Sequence, residues 1–138
     1  MAALPALDDI FDEYALLESE DRYRLLIDLG RKLEPMPDVL KTDATKVRGC
    51  AAAVWVYPQR IADGRLHFLA DSNAAITKGI VALVLAAVQD KPAEEVARMD
   101  VAAALAPFDL SRQLSANRTQ GIPSMIALVR DTAQRLAA

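Results

Sequence analysis

The chain has 138 residues, 53% of them hydrophobic, and a formal net charge of −3. That length suits a single domain spanning residues 1–138, and the apolar content supplies a packed core and excludes disorder. Lysine and arginine are scattered rather than gathered into a basic stripe, so nucleic-acid binding is not expected.

Leu7, Ile10, Phe11 and Tyr14 recur at helical spacing with acidic residues between them, which predicts a first amphipathic helix. Ser19 is the expected N-cap of a second helix over 20–33. Glu20 and Asp21 lie in its first turn, where negative charge suits the helix dipole. Tyr23, Leu26, Ile27 and Gly30 are its expected inner face, and Gly30 allows close packing there. Pro35 and Pro37 end that helix and begin an extended connection.

The stretch 42–47 is expected to form a short edge strand. Gly49-Cys50 breaks it, and 53–59, rich in β-branched and aromatic residues, reads as a strand. Pro58 either weakens that strand near its end or places it at an edge. Asp63-Gly64 is a hairpin signal, with 65–69 returning as the next strand. Asp71, Ser72 and Asn73 are N-cap residue types ahead of a helix over 74–89 that is apolar nearly all round, hence buried. The apolar run from Ile80 to Val88 is too short to span a bilayer. Pro92 suits the start of a short helix through Met99, and another is expected over 100–106, closed by Pro107. A final helix is expected over 117–136, with Ser115 before it and Pro123 tolerable only near its start. Two N-terminal helices, a small antiparallel sheet and then several helices make an α+β domain with helices on one face of the sheet.

Cys50 is the only cysteine and His67 the only histidine. A lone cysteine excludes an intrachain disulfide and a cysteine-built metal or cluster site. No bound cofactor or metal is implied. The start of the chain lacks the basic and apolar segments of a secretory leader, so a reducing compartment, the cytoplasm, is expected.

A free cysteine is most often a small buried hydrophobe. Cys50, however, follows Gly49 at a loop–strand junction, and Lys46 and Arg48 nearby favour the nucleophilic thiolate. A hydrolase would need His67 within reach as a base, but the alternation Leu66-His67-Phe68 turns that ring toward the sheet surface. No second cysteine is present to resolve a sulfenic acid. Exchange with another molecule's sulfur is the chemistry best suited to a lone activated thiol. Arg118 is a second candidate: arginine at a helix entry meets an unfavourable dipole, so it is expected to pair with an acid or to hold a partner.

Four blocks of this chain, in order, resemble the SufE family. Gly49-Cys50 followed by Val54-Trp55 is similar to its Gly-Cys-x-Ser-x-Val-Trp signature. The segment from Arg22 to Leu29-Gly30 resembles its second helix. The segment from Ala70-Asp71-Ser72-Asn73 to Gly79 resembles its Ala-Asp-Ser-x-Ala-x-Ile-x-x-Gly block, and that from Leu114 through Arg118 to Gly121 its Leu-Ser-x-x-Arg-x-x-Gly block. Departures are Ala52 for the signature serine, Asn73 where aspartate is frequent, and Pro123 in place of a helix former.

The resemblance implies a three-stranded SufE/IscU-like fold and a sulfur acceptor for a PLP-dependent cysteine desulfurase of the SufS type or a paralogue. Cys50 would take sulfur as a persulfide, stimulate the desulfurase, and relay the sulfur toward an iron–sulfur scaffold such as SufBCD. In this picture the protein is a sulfurtransferase-type carrier rather than a stand-alone hydrolase or metalloenzyme. Arg48, Gly49, Trp55, Asp71, Asn73 and Arg118 would support the site or bind the partner, although the simplest role for Trp55 is sheet core and for Asp71-Ser72-Asn73 a helix cap. Two alternatives remain open. One is a regulatory module that binds and stimulates a desulfurase without carrying sulfur. The other is an IscU-type cluster scaffold, which a single cysteine disfavours.

Overall fold

The computed structural model describes residues 4–137. Two helices, α1 (Leu7–Ala15) and α2 (Ser19–Arg31), lead through an irregular segment to the hairpin β1 (Val54–Arg60) and β2 (Arg65–Ser72). Helix α3 (Ala75–Val88) follows, then β3 (Lys91–Pro92) and the short helices α4 (Ala93–Arg98), α5 (Val101–Leu105), α6 (Leu110–Gln113) and α7 (Ala116–Thr119). Helix α8 (Ile122–Ala137) completes the described chain.

The α+β architecture with a three-stranded antiparallel sheet is as expected, but the third strand differs. The order is β1-β2-β3, with β1 running against β2 from Val54↔Ser72 to Arg60↔Leu66 and β3 touching β2 only at Arg65↔Pro92 and Leu66↔Lys91. The Gln89 side chain extends that short pairing: its amide donates to Phe68 O (2.9 Å) and accepts from Phe68 N (2.6 Å). Residues 42–47 form no strand. They meet the far edge of β1 through one bridge, Lys46↔Trp55, with Val47 N–H donating to Val54 O and Val56 N–H to Thr45 O. Even-numbered residues of β1 therefore face that edge. Pro58 shares their parity, so its missing N–H costs the hairpin ladder nothing. At the hairpin tip Asp63 (φ 64°) and Gly64 (φ 71°) are both left-handed, as a tight turn of this type requires.

One sheet face carries Val54, Val56, Leu66, Phe68 and Ala70, all buried against the helices. Trp55 and His67 lie on the other face, so Trp55 is not sheet core. It is half-buried, with Lys41 Nζ 5.7 Å from its ring centroid. Helix α3 is the central element, and only Ala75, Lys78 and Ala86 among its residues escape full burial. It crosses α2 at two glycines. A Cβ on Gly30 would lie 2.8 Å from Gly79 N, and one on Gly79 would lie 2.1 Å from Leu26 O. The expected close packing at Gly30 is thus met by a second glycine on the partner helix. On α2, Leu26, Leu29 and Gly30 are buried, whereas Tyr23 is exposed rather than inward-facing. On α1, Ile10 and Tyr14 are buried, and Tyr14 and Phe11 both pack on the Phe108 ring.

The last helix begins later than expected. The stretch 117–136 is broken at Gln120-Gly121 into α7 and α8, and Pro123 sits in the first turn of α8, where it costs no hydrogen bond. Neither Ser19 nor Ser115 caps with its side chain: Ser19 is already helical, and the Ser115 carbonyl receives the N–H groups of Arg118 and Thr119.

Candidate functional site around Cys50

The loop 48–52 joins the bridged segment to β1. Its entry is held by Val47 N–H donating to Val54 O (2.8 Å). Its exit is held at Ala53, whose N–H donates to Asn73 Oδ1 (3.1 Å) and whose carbonyl accepts from Ser72 Oγ (2.7 Å) and Asn73 N–H (3.3 Å). Between these anchors no backbone hydrogen bond ties the loop to the rest of the described chain. Gly49 supplies a left-handed φ of 87° that a side chain would resist.

Asp71, Ser72 and Asn73 therefore do not cap α3, whose N-cap is Ala74 and which has no side-chain cap bond. Long-range bonds to Ala53 outweigh their local capping preference. Asp71 braces the segment from the other side, with its carboxylate 2.7 Å from Lys41 Nζ and 3.2 Å from Lys78 Nζ and accepting from Ser72 N–H. Burial works against that charge, but the bonds from Lys41, Ser72 and Lys78 outweigh it and hold the Asp71 carboxyl below the usual range.

Cys50 is half-buried and points into the elbow between α7 and α8. Its Sγ lies 3.8 Å from the Gly121 carbonyl, which also accepts the Met125 N–H at the start of α8. Thr77, Asn117, Arg118 and Met125 complete the wall, and the space left around the thiol is too small for a water molecule. Gly121 is indispensable to this contact, since a Cβ there would lie 2.3 Å from Cys50 Sγ. Burial pushes the thiol pKa up. Lys46 and Arg48 are both exposed and do not offset it, contrary to the expected thiolate-favouring effect. At rest this sulfur is a protonated thiol facing a carbonyl oxygen.

The other candidates divide into two groups. Gly49, Asn73 and Arg118 are at the site: Gly49 shapes the loop, Asn73 anchors it, and half-buried Arg118 lines the thiol's space and takes part in no ion pair among the described residues. Arg48 projects into solvent, and Trp55 and Asp71 act one layer away through Lys41. His67 is no base for Cys50, because both its ring nitrogens are engaged, Nδ1 with Asp90 (2.7 Å) and Nε2 with Glu34. Sequence reasoning missed Thr77, Ser124 and Met125 as neighbours of the loop. Ser124 Oγ would lie 3.1 Å from a Cβ on Gly49. Nothing local in the sequence marks these contacts. No group of three or more metal-ligating side chains converges among the described residues, and no helix among them is long and apolar enough to cross a membrane.

Comparison with known proteins supplies an independent line. The family model for SufE, described as an Fe-S metabolism associated domain, matches residues 8–133. SufE-like proteins of Rhizobium meliloti and Rhizobium etli are 38% and 37% identical, covering 95% and 98% of this chain and 96% and 94% of theirs. The sulfur acceptor protein CsdE of Escherichia coli is 38% identical over 110 residues, 80% of this chain and 75% of its own. A solution structure of a hypothetical protein from Thermus thermophilus superposes with a TM-score of 0.76 over 98% of both chains at 15% identity, which speaks to the fold. With a half-buried thiol on a two-point-anchored loop and a match over nearly its whole length, this chain belongs to the SufE family.

Proposed function

We propose that this protein accepts sulfur on Cys50 from a cysteine desulfurase and passes it on toward iron–sulfur cluster assembly. The observation that carries this reading is the thiol itself, the only one in the chain, set on a loop fastened at its ends and free of backbone bonds between them. The naming of a relative at 38% identity as a sulfur acceptor supports it.

The transfer balances as a thiol exchange. The Cys50 thiol gives up its proton, and the thiolate attacks the outer sulfur of the donor's cysteine persulfide. A new S–S bond forms to Cys50 as the donor's S–S bond breaks, and the departing donor thiolate takes up a proton. One thiol and one persulfide yield one persulfide and one thiol, with no external oxidant or reductant.

The resting geometry blocks this reaction in two ways. The sulfur packs against Gly121 in a recess without space for a water molecule, and the carbonyl beside it opposes the thiolate that has to make the attack. The loop must lift from Gly121 before exchange, which protects the thiol, and later the persulfide, from adventitious oxidants and thiols. Val47 and Ala53 are the fixed ends of that movement.

The test is intact mass after incubation with desulfurase and free cysteine. The wild-type chain gains one sulfur atom, about 32 Da, by exchange at a single thiol, and Cys50→Ser gains none while its melting curve stays cooperative. Absence of any gain in wild type beside a turning-over desulfurase would refute the reading. The sequestered thiol gives the contact-regulator reading its one point of support. Stimulation of the desulfurase that survives Cys50→Ser would select it.

A further inference from the structure

The irregular segment between α2 and the thiol loop is pinned at two points to the sheet face opposite the helices. On that face His67, Leu69 and Asp71 alternate along β2. Glu34 holds His67 Nε2, and Lys41 Nζ holds Asp71 Oδ2 at 2.7 Å. Met36, between the two ties in the chain, is buried, as is Leu69, and neither belongs to the main core. The backbone that carries Lys41 is therefore held by packing as well as by charge.

Lys41 stands between the two ends of the thiol loop. On the entry side the neighbouring Leu40 carbonyl accepts from Thr45 Oγ1 (2.6 Å), and the Thr45 carbonyl accepts the Val56 N–H (2.9 Å), two residues ahead of the Val47 anchor. On the exit side the Lys41 ammonium holds Asp71, next in the chain to Ser72 and Asn73, which fasten Ala53.

An ion pair on open surface contributes little, but the Lys41 and Asp71 side chains are only 21% and 19% exposed. Asp38 shares the ammonium at 3.1 Å from a side chain that is 97% exposed. Lys78 shares the Asp71 carboxylate at 3.2 Å, but it belongs to α3 and does not reach the entry side. We propose, resting on the sulfur-acceptor reading, that Lys41 is a positioning residue for the transfer: by tying the entry turn to the exit anchor it keeps Cys50 seated against Gly121 until a partner draws the loop out. With the tie cut, the ends of the loop drift. The open loop then gains conformations that the seated one lacks, and the balance moves toward an exposed sulfur.

The experiment is the rate at which the full chain reacts with 5,5′-dithiobis(2-nitrobenzoate), read beside amide hydrogen exchange and the mass assay for sulfur on Cys50. Lys41→Met removes the charge and keeps the apolar stem, and Lys41→Arg keeps the charge. Asp71→Asn cuts the same pair from the other side and keeps the test intact if Lys41→Met fails to fold. Arg31→Met, which breaks a 3.1 Å ion pair with Asp28 on α2, is the control. Lys41→Met and Asp71→Asn should react about three-fold faster than wild type or more, the scale of one partly buried pair lost from the seated loop. Exchange should quicken at both Val47 and Ala53, and sulfur already on Cys50 should pass faster to a small thiol. Lys41→Arg and Arg31→Met should stay close to wild type. A fall in melting temperature with the thiol still at the wild-type rate makes Lys41 a support of the fold alone and overturns the proposal. A thiol as fast in Lys41→Arg as in Lys41→Met overturns it as well, as does quickened exchange at only one of the two anchors. A faster thiol in Lys41→Met, with no sulfur reaching wild-type Cys50 beside a turning-over desulfurase, leaves the tie standing and overturns the acceptor reading.

Discussion

Replacing Gly121 with alanine tests the resting state of the thiol directly. The added Cβ would lie 2.3 Å from Cys50 Sγ and 3.1 Å from both its Cα and Cβ. The sulfur contact is at least about 1 Å inside the roughly 3.5–4.0 Å at which nonbonded heavy atoms attract. The backbone at Gly121 is not left-handed, so alanine brings no dihedral strain of its own. Overpacking of this kind costs about 1–3 kcal/mol if both partners hold still. The two partners are unequal, however: Gly121 immediately precedes a 16-residue helix and its carbonyl accepts the Met125 N–H, while the Cys50 loop has no internal backbone bonds to lose. The loop should yield, and a 1–3 kcal/mol penalty on the closed state raises the open-to-closed ratio by about 5–150-fold. The assay is the rate of reaction with 5,5′-dithiobis(2-nitrobenzoate) under native conditions, compared with the same chain in urea. Wild type should react more slowly than the unfolded chain. Because burial raises its pKa, its rate should also climb at a higher pH. Gly121→Ala should react at least about five-fold faster than wild type, with its pH midpoint moved down toward that of an unburied thiol. Equal rates for the two proteins, or a wild-type thiol already as fast as the unfolded one, would show that the sulfur does not rest against Gly121.

Three further perturbations follow from other contacts. Asn73→Ala removes the acceptor for Ala53 N–H and should cost about 1 kcal/mol. Hydrogen exchange at Ala53 should then quicken, while Asn73→Asp, which keeps an acceptor, should stay close to wild type. Gly79→Ala sets a Cβ against the Leu26 backbone at 2.1 Å, where no flexible side chain can move aside. A loss of about 3 kcal/mol or more is expected, read as a fall in denaturation midpoint, and a midpoint within experimental error of wild type would refute the α2–α3 crossing. For His67 burial opposes the charged ring, but Asp90 and Glu34 outweigh it and the pKa is raised. The stabilisation is therefore complete below the unfolded value of about 6.5 and is lost as pH rises through the higher native value. His67→Gln should flatten the dependence of melting temperature on pH over that window, and an unchanged slope would remove His67 as its source.

What the sequence discloses here follows the range of the interactions. The Asp63-Gly64 turn, the amphipathic face of α1 and the buried α3 were legible because each is decided within a few residues. The pairing of Lys91–Pro92 with β2 was not, since two residues joined by a glutamine side chain leave no periodic signal. Asp71, Ser72 and Asn73 misled because their capping tendency is local, whereas the bonds that Ser72 and Asn73 make reach back about twenty residues to Ala53. The thiol was conspicuous as the only one, but its environment was not. Lys46 and Arg48 are close in sequence yet do nothing for its ionisation, while the residue it packs against, Gly121, lies 71 residues away. Gly121 was visible only as one letter of a matching block, with no hint that the space it leaves is filled by sulfur.

Under the proposed sulfur-acceptor function, the anchoring of the loop also limits how sulfur could be delivered. Cys50 is three residues from Val47 and three from Ala53, so at about 3.3–3.6 Å per residue its Cα can stray no more than about 10 Å from either fixed point. That distance clears the Gly121 elbow but does not bridge two docked proteins. A tethered prosthetic arm can visit several active sites in turn, whereas a sulfur on this loop can be handed on only after the donor has left and the recipient has taken its place. Turnover of such a carrier is then set by how fast one partner dissociates, and tight binding to the donor would slow the very flow it begins.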